Sequence, residues 1–230
     1  MEGKVVTMEL NFSSLDVTGY RNQQVPNTLI TQPNSTRHLG IILPGYRFPA
    51  DTAPLYYAGR ILLEGGADLL RVEYAYYRTD FMKRSQSEQD QWISGDVFAA
   101  CKSGLSQRSY EKITLVGKSL GTIAMGHLLA DSLFQSAACI WETPLLTVEW
   151  LRARIEQTHP HSFFLIGTAD KFYQPDILKH LEHVTKGHSL VIDGANHALE
   201  IPGDISKSLV VLEQIVQALR AFLNEDIKNT

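Results

Sequence analysis

The sequence predicts an α/β fold in which a mostly parallel sheet of eight strands lies between two layers of helices, a three-layer α/β/α sandwich. Two observations predict it. Short apolar runs typical of strands alternate with longer amphipathic stretches typical of helices along most of the 230 residues. Most of the strand-like runs are apolar throughout, as expected for strands that helices cover on both faces. Such strand–helix–strand units imply right-handed crossovers, and ligands then bind beyond the carboxyl ends of the strands.

The first two strands are predicted to pair as an antiparallel edge. In residues 6–12, polar residues alternate with the apolar residues Val6, Met8, Leu10 and Phe12. This alternation is typical of a half-buried strand, and residues 28–31 form a weaker second strand. The other predicted strands are residues 38–43, 68–74, 113–116, 137–141, 163–166 and 189–192, and most of them are short apolar runs.

Capping residues mark the first two helices. Asp51 is predicted as the N-cap of a helix over residues 53–64. Ser85 and Glu88 have the spacing of a capping box, which predicts a helix that runs to about residue 102.

Three further helices are predicted at residues 122–131, 148–157 and 175–186. The last of these has Pro175 in its first turn and Gly187 just past its end. A final helix has apolar residues three and four apart along one face, which we expect to be buried. These residues are Leu209, Leu212, Val216, Leu219 and Leu223.

Composition favours a globular protein with one domain. Hydrophobic residues make up 44% of the chain and charged residues 20%, close to globular averages. There is no internal repeat, low-complexity tract or long linker, so we expect residues 1–230 to form one domain. Residues 142–162 leave room for one helix between two strands, so no cap domain is predicted.

Charge, cysteine content and hydropathy argue against several classes of protein. A net charge of −4 and a pI near 6.1 give no basic footprint for nucleic acid. Two cysteines are too few for a disulfide scaffold. No apolar run approaches the roughly 18 residues of a membrane span, and residues 1–12 lack the pattern of a secretory signal. We therefore expect a cytoplasmic protein, and the sequence leaves a homodimer open.

A Gly-x-Ser-x-Gly motif, Gly117-Lys118-Ser119-Leu120-Gly121, lies between a predicted strand and a predicted helix. This is the context in which such a motif places a serine on a sharp turn, with its hydroxyl clear of the sheet. The helix amino terminus beside it favours an anion.

A serine hydroxyl needs a base, and the base needs a carboxylate to fix its tautomer. His197 follows the last predicted strand, and Asp170 follows the strand that ends at residue 166. Ser119, Asp170 and His197 thus fall at the same edge of the sheet, in that chain order.

Taken together, these motifs and their positions resemble those of an α/β-hydrolase, over roughly residues 5–223. The matching pieces are the Ser119 motif, Gly167 to Asp170, Gly194 to His197, and Leu43 to Tyr46. The resemblance implies a sheet with its second strand antiparallel, and a triad of Ser119 as nucleophile, His197 as base and Asp170 as acid.

The resemblance also implies an oxyanion hole formed by two backbone N–H groups, those of Leu120 and Tyr46. The chain departs from the commoner His-Gly after the third strand, since it has Pro44-Gly45 there. Arg47 is therefore an alternative donor. One such donor typically contributes about 2.7–4 kcal/mol to stabilising the transition state.

Alternative interpretations remain for the acidic residues and for the motif. Glu142 follows another strand and is the rival for the acid, either sharing the role or lining the pocket, whereas Asp176 fits a first-turn helix carboxylate. A phosphate-binding loop would need a glycine where the chain has Lys112. The histidine pairs at residues 159 and 161 and at residues 180 and 183 lack further ligands, so no metal is expected.

The expected function is hydrolysis of a carboxylic ester or thioester with an apolar or aromatic acyl group of small to medium size, without a cofactor. Another reaction on the same scaffold (carbon–carbon bond hydrolysis, peptide hydrolysis or acyl transfer) and a non-catalytic binding protein are the alternatives. The substrate-binding candidates lie in loops at the carboxyl edge of the sheet. They are Arg47, Phe48, Tyr76, Glu142, Leu145 and Phe172.

Overall fold

A computed structural model describes residues 9–228, with side chains to residue 225. Eight strands form one sheet in the order β1-β2-β4-β3-β5-β6-β7-β8. Their bounds are β1 Asn11–Ser13, β2 Asn27–Thr31, β3 His38–Leu43, β4 Asp68–Val72, β5 Lys112–Lys118, β6 Ala138–Glu142, β7 Ser162–Gly167 and β8 His188–Ile192.

The sheet is mostly parallel, as predicted. Strand β2 runs antiparallel to both of its neighbours, β1 and β4, and the other pairs are parallel. The predicted antiparallel edge is therefore confirmed for the described part of β1. Val6 and Met8, which the prediction placed in the same strand, lie outside the described residues.

Helices cover both faces of the sheet and complete the three layers. Helices α1 and α6 pack on one face, and the other four helices pack on the opposite face. Their bounds are α1 Ala53–Glu64, α2 Gln86–Leu105, α3 Leu120–Leu128, α4 Glu149–Thr158, α5 Pro175–Thr185 and α6 Ile205–Lys228.

The strands feed two separate apolar cores because successive side chains point to opposite faces of the sheet. In β6, Cys139 and Trp141 pack into the core beneath α2 to α5, whereas Ile140 packs into the core beneath α1 and α6. This two-sided burial explains why the central strands are apolar throughout.

Helix capping confirms one prediction and corrects another. Ser85 and Glu88 form the predicted capping box at the start of α2. The N-cap of α1 is Thr52, not Asp51. The Asp51 carboxylate instead accepts a hydrogen bond of 2.6 Å from Arg71. This ion pair links the segment before α1 to strand β4.

The buried face of α6 agrees with the prediction only in part. Leu219 and Leu223 are buried as predicted, whereas Leu209 is 62% exposed and the face against the sheet also carries Val211, Ile215 and Phe222. Apolar residues with helical spacing extend around more than one side of the helix, so the pattern alone could not fix the limits of the face that meets the core.

The loop between β6 and β7 contains α4 and no other helix among the described residues, so no lid is built there. Among the described helices, none is long and apolar enough to cross a lipid bilayer.

Candidate active site

Ser119 lies on a sharp turn between β5 and α3. Its backbone has φ 52° and ψ −112°, a conformation that side-chain-bearing residues rarely adopt. A Cβ atom at Gly121 would overlap the carbonyl oxygen of Leu43, so the turn can press against β3 only with glycine at that position. The glycine of the motif at position 121 is therefore required by the close approach of the turn to β3.

Hydrogen bonds hold this turn in place. The Ser119 N–H donates to the Glu142 carbonyl at 3.0 Å. The Ser119 carbonyl accepts from the Thr122 N–H at 2.9 Å and from the Thr122 hydroxyl at 2.6 Å. Hydrogen bonds therefore hold the strained residue Ser119 through both its N–H and its carbonyl group. A strained backbone conformation persists only where its surroundings hold it in this way.

The structure brings Ser119, His197 and Asp170 together in one hydrogen-bonded chain. His197 Nε2 lies 2.9 Å from Ser119 Oγ, and His197 Nδ1 lies 2.7 Å from Asp170 Oδ2. Asp170 is 4% exposed, and its other oxygen, Oδ1, accepts from the Phe172 N–H at 3.0 Å. An imidazole that donates its Nδ1 proton to a carboxylate can accept the serine proton at Nε2.

The loops that carry Asp170 and His197 contact each other. The Ala169 N–H donates to the Ala195 carbonyl at 3.0 Å. A Cβ atom at Gly167 would overlap the same carbonyl oxygen, so a glycine lets the loops after β7 and β8 touch. Within the histidine loop, the Asn196 side chain accepts from the Ala198 N–H at 2.8 Å.

The two predicted oxyanion donors belong to the start of α3 and to the loop after β3. Leu120 is the first residue of α3, where a backbone N–H has no partner within its helix. The loop that contains Tyr46 approaches the turn closely, because a Cβ atom at Gly45 would lie 3.5 Å from the Ser119 Cβ. Gly45 donates its own N–H to the Phe48 carbonyl at 3.0 Å, and the Tyr46 N–H has no acceptor within the described residues.

Glu142 is fully buried, and the structure does not place it against the imidazole, since Asp170 holds Nδ1. Neither carboxylate oxygen of Glu142 has a hydrogen-bond partner among the described residues. Burial raises the pKa of Glu142, and the nearby Lys118 partly offsets that rise. Lys118, the second residue of the motif, is also fully buried, and no sequence signal pointed to this.

A groove with a volume of about 540 Å³ lies next to the histidine loop. It begins at Ala198, the residue after His197, and Phe48 borders it on the other side. The rest of its wall is mostly apolar and comes from the segment after His197, from the start of α1 and from α6. These residues include Ala53, Pro54, Leu199, Ile201, Pro202, Ile205, Leu209 and Leu212.

Among the substrate-binding candidates, Phe48 is the one that lines this groove. Leu145 and Phe172 are half-buried elsewhere at the same edge, and the Phe172 ring lies 5.3 Å from the His197 ring between centroids. Arg47 is exposed and stands 5.9 Å from the Tyr46 ring.

Tyr76 is not at the pocket, contrary to the expectation. It is 3% exposed, and its hydroxyl donates to Asp96 at 2.9 Å within the core beneath α2. It stacks on Tyr74 and Phe81 with ring centroids 4.6 Å apart in each pair. We expected Tyr76 to line the pocket because it follows a strand end, but the neighbouring aromatic rings bury it.

The groove residues after His197 could not be identified from the motifs alone. Leu209 fits the apolar face of α6 by spacing, so the pattern assigns it to the core. The one sequence signal for the groove was the segment 198–202, which is rich in apolar residues although it lies in a loop after a strand. Among the described residues, no group of three or more potential ligands is arranged to hold a metal ion.

Comparisons with known proteins agree with this architecture. No protein-family model and no curated protein sequence matches the chain. Among solved structures, the esterase Pf2001 of Pyrococcus furiosus is similar with a TM-score of 0.69 and 15% identity, over 94% of this chain and 93% of that one. XC6422 of Xanthomonas campestris, described as a serine hydrolase without a lid, is similar with a TM-score of 0.68 and 15% identity, over 94% of each chain.

A third similar structure is Est1E of Butyrivibrio proteoclasticus, with a TM-score of 0.68 and 13% identity, over 94% of this chain and 99% of that one. At identities this low, structural similarity shows a shared fold and nothing more. The sheet order and the antiparallel β2 agree with that fold. The chain therefore has the α/β-hydrolase fold, and its described residues form no lid between β6 and β7.

Proposed function

We propose that the protein is a serine hydrolase that cleaves carboxylic esters or thioesters with an apolar acyl group of small to medium size. The observation that carries this proposal is the unbroken chain of hydrogen bonds from Ser119 Oγ through His197 to Asp170. A base within about 2.6–3.2 Å of the hydroxyl, oriented by a carboxylate, is the arrangement that activates a serine. The similar structures that are described as esterases support the same class of reaction.

The proposed reaction runs in two halves. His197 takes the Ser119 proton as the oxygen attacks the acyl carbon, and the N–H groups of Leu120 and Tyr46 receive the oxyanion. The alcohol or thiol leaves with the proton from His197, and an acyl-enzyme remains. Water then attacks with the same proton transfers in the same order, which frees the acid and restores Ser119.

The groove beside His197 favours an apolar acyl chain. Its lining is largely apolar, and an enclosure of about 540 Å³ falls within the range of small-molecule sites. Glu200 and Asp204 are the acidic residues of its wall, and their charges disfavour an anionic group in the groove. We therefore place the acyl chain, rather than a charged leaving group, in the groove.

The test combines labelling with a panel of substrates. A fluorophosphonate probe should label the wild-type protein once, and Ser119→Ala should abolish labelling. Turnover of p-nitrophenyl esters by Ser119→Ala should fall by about 10⁶ in kcat if the three residues act as a unit. Absence of labelling in the wild-type protein would reject the enzyme in favour of a binding protein.

Ser132→Ala is a matched control, since this serine begins a short turn after α3, far from the proposed nucleophile in the fold. Its labelling and turnover should equal those of the wild-type protein. Acyl-CoA thioesters and peptides in the same panel separate the reaction classes, and a preference for peptides would contradict the proposed one.

A further inference from the structure

Lys118 is a fully buried lysine next to the proposed nucleophile. It is the last residue of β5, and its side chain has no exposed surface. Taking an ammonium group out of water costs several kcal/mol, so a lysine is a poor choice for filling space in a core. A methionine of similar length would fill the same space without that cost.

The Lys118 ammonium bridges loops from three different strands. Its Nζ donates to the carbonyl oxygen of His197 at 3.0 Å and to the hydroxyl of Thr143 at 3.1 Å. It also lies 5.0 Å from the centre of the Phe48 ring, within the range of a cation–π contact. The proposed base, the loop after β6 and the loop with the oxyanion donor thus meet at one cation.

The contact with Thr143 is made at a strained residue. Thr143 has φ 44°, which is unusual for a β-branched side chain. Its N–H donates to the Leu165 carbonyl at 2.7 Å. Such strain persists only where the surroundings over-determine the conformation, and here they include the bond from Lys118.

Surrounding charges favour the ammonium form. Burial lowers the pKa of Lys118, while the carboxylates of Glu142, Asp170 and Glu200 raise it. Glu142 is the strand partner of Lys118 in the register of β5 with β6. The ammonium therefore has electrostatic support from the acid of the proposed triad and from the wall of the groove.

We infer that Lys118 is a positioning residue for the proposed reaction: its ammonium holds the main chain of His197 in the position that lets the imidazole form a hydrogen bond with Ser119. This inference rests on the proposed function. Lys118 acts through His197, since its ammonium donates to the His197 carbonyl and the imidazole of His197 is hydrogen-bonded to Ser119 Oγ. A misplacement of about 1 Å in a reacting group can cost ~10² in rate, which sets the scale of the expected effect.

The first arm of the test is kinetic. Lys118→Met should lower kcat on a p-nitrophenyl ester by about 10–100-fold and leave KM within about twofold, because the lost contact orients the base rather than the substrate. Lys118→Gln, which keeps an N–H donor, should retain more activity than Lys118→Met. A folded Lys118→Met protein with wild-type kcat, or one with raised KM and unchanged kcat, would overturn the inference.

Arg108→Met is the control for a general loss of stability. Arg108 is half-buried and pairs with the buried Asp68 at 3.2 Å, at the start of β4 and so at the opposite edge of the sheet. Its removal should lower the melting temperature and leave kcat unchanged. An equal loss of kcat in Arg108→Met would mean that Lys118 matters only for stability, and would overturn the inference.

A second pair of variants covers the case in which Lys118→Met does not fold. Thr143→Val removes the hydroxyl that Lys118 contacts but keeps the branched shape, and Thr143→Ser keeps the hydroxyl. Thr143→Val should lower kcat several-fold with KM unchanged, whereas Thr143→Ser should stay near wild type. Equal kcat in the two variants would overturn the inference.

The last arm does not depend on hydrolysis, so it separates failure of this inference from failure of the proposed function. Hydrogen–deuterium exchange of residues 194–203 should become several-fold faster in Lys118→Met and stay unchanged in Arg108→Met. Faster exchange in a protein without esterase activity would support the anchoring and reject the proposed function. Unchanged exchange would overturn the inference whatever the activity.

Discussion

The N–H of Ser119 donates to the carbonyl oxygen of Glu142 at 3.0 Å, so the proposed nucleophile is attached to the neighbouring strand. This bond continues the parallel pairing of Lys118 with Glu142 by one residue beyond the end of β5. The register of two central strands therefore determines where the hydroxyl stands. A shift of one residue in that register would move every side chain of β5 to the opposite face.

Gly121→Ala should damage both stability and turnover, because its methyl group would overlap the Leu43 carbonyl. Overpacking of this kind typically costs about 1–3 kcal/mol. Thermal unfolding measures the loss, and kcat should fall as the turn shifts. Gly95→Ala is the matched control, since its nearest neighbour would lie 3.5 Å away. That variant should be neutral or stabilising, and equal destabilisation of the two would contradict this interpretation.

Asp170→Asn and Glu142→Gln should differ sharply in turnover. The side-chain amide introduced by Asp170→Asn can donate to Nδ1 and so favours the wrong tautomer of His197, and a change of this kind in a similar triad lowers kcat by about 10⁴. Glu142→Gln should stay within about tenfold of wild type, since Glu142 makes no hydrogen bond to the imidazole. Steady-state kinetics on one ester decides between them, and the opposite ranking would transfer the role of acid to Glu142.

Leu209→Asp should weaken the turnover of esters with longer acyl chains. Leu209 lines the groove and is 62% exposed, so the change places a charge on the proposed path of the chain. Each buried methylene contributes about 0.8 kcal/mol, so loss of the contacts of about two methylenes should lower kcat/KM by about tenfold for an eight-carbon ester and little for a two-carbon ester. Leu133 is 52% exposed and lies outside the groove, so Leu133→Asp should change neither value.

Glu142→Gln should gain melting temperature relative to wild type as the pH rises from 5 to 8. Burial raises the pKa of Glu142 from 4.5 to about 7 in the folded protein. The unfolded chain therefore releases this proton at lower pH, and the wild-type protein loses stability between those two values. The glutamine has no charge to bury, and Asp170 and Glu200 still compensate Lys118.

The expected gain is a few degrees, since one kcal/mol corresponds to about 2–4 °C in a chain of this size. Thermal unfolding of both proteins at the two pH values measures it. A difference in melting temperature that is the same at pH 5 and pH 8 would show that Glu142 does not titrate in this range.

The fold could be predicted from sequence because helices cover both faces of the central strands, which are therefore apolar throughout. The positions of Ser119, Asp170 and His197 followed from the same logic, since each comes directly after a strand and parallel strands end at one edge. What these residues do chemically still depends on the proposed experiments.

Lys118 shows where prediction from sequence stops. The apolar run of the predicted strand ends at Val116, yet β5 continues through Gly117 and Lys118. The two extra residues pair with Trp141 and Glu142 of β6, and they carry the lysine into the interior. A charged residue at the end of a run is ordinarily a solvated one, and only the pairing of the strands reverses that expectation.

The failure at Leu209 has a different physical cause. Apolar residues with helical spacing extend beyond the part of α6 that the sheet covers, so Leu219 and Leu223 are buried but Leu209 is exposed. Which face meets the sheet depends on how the segment after β8 enters the helix, and that is a tertiary property. The same holds for Tyr76, which follows a strand end but is buried by aromatic neighbours.

The separation of Ser119 and His197 by 78 positions in the chain has a consequence for biosynthesis. On the ribosome, the elbow with its serine emerges long before the imidazole that would deprotonate it. A polypeptide that stalls or is cut before β8 therefore has a hydroxyl no more reactive than any other. In the proposed mechanism, the nucleophile is therefore activated only after translation has passed the last strand.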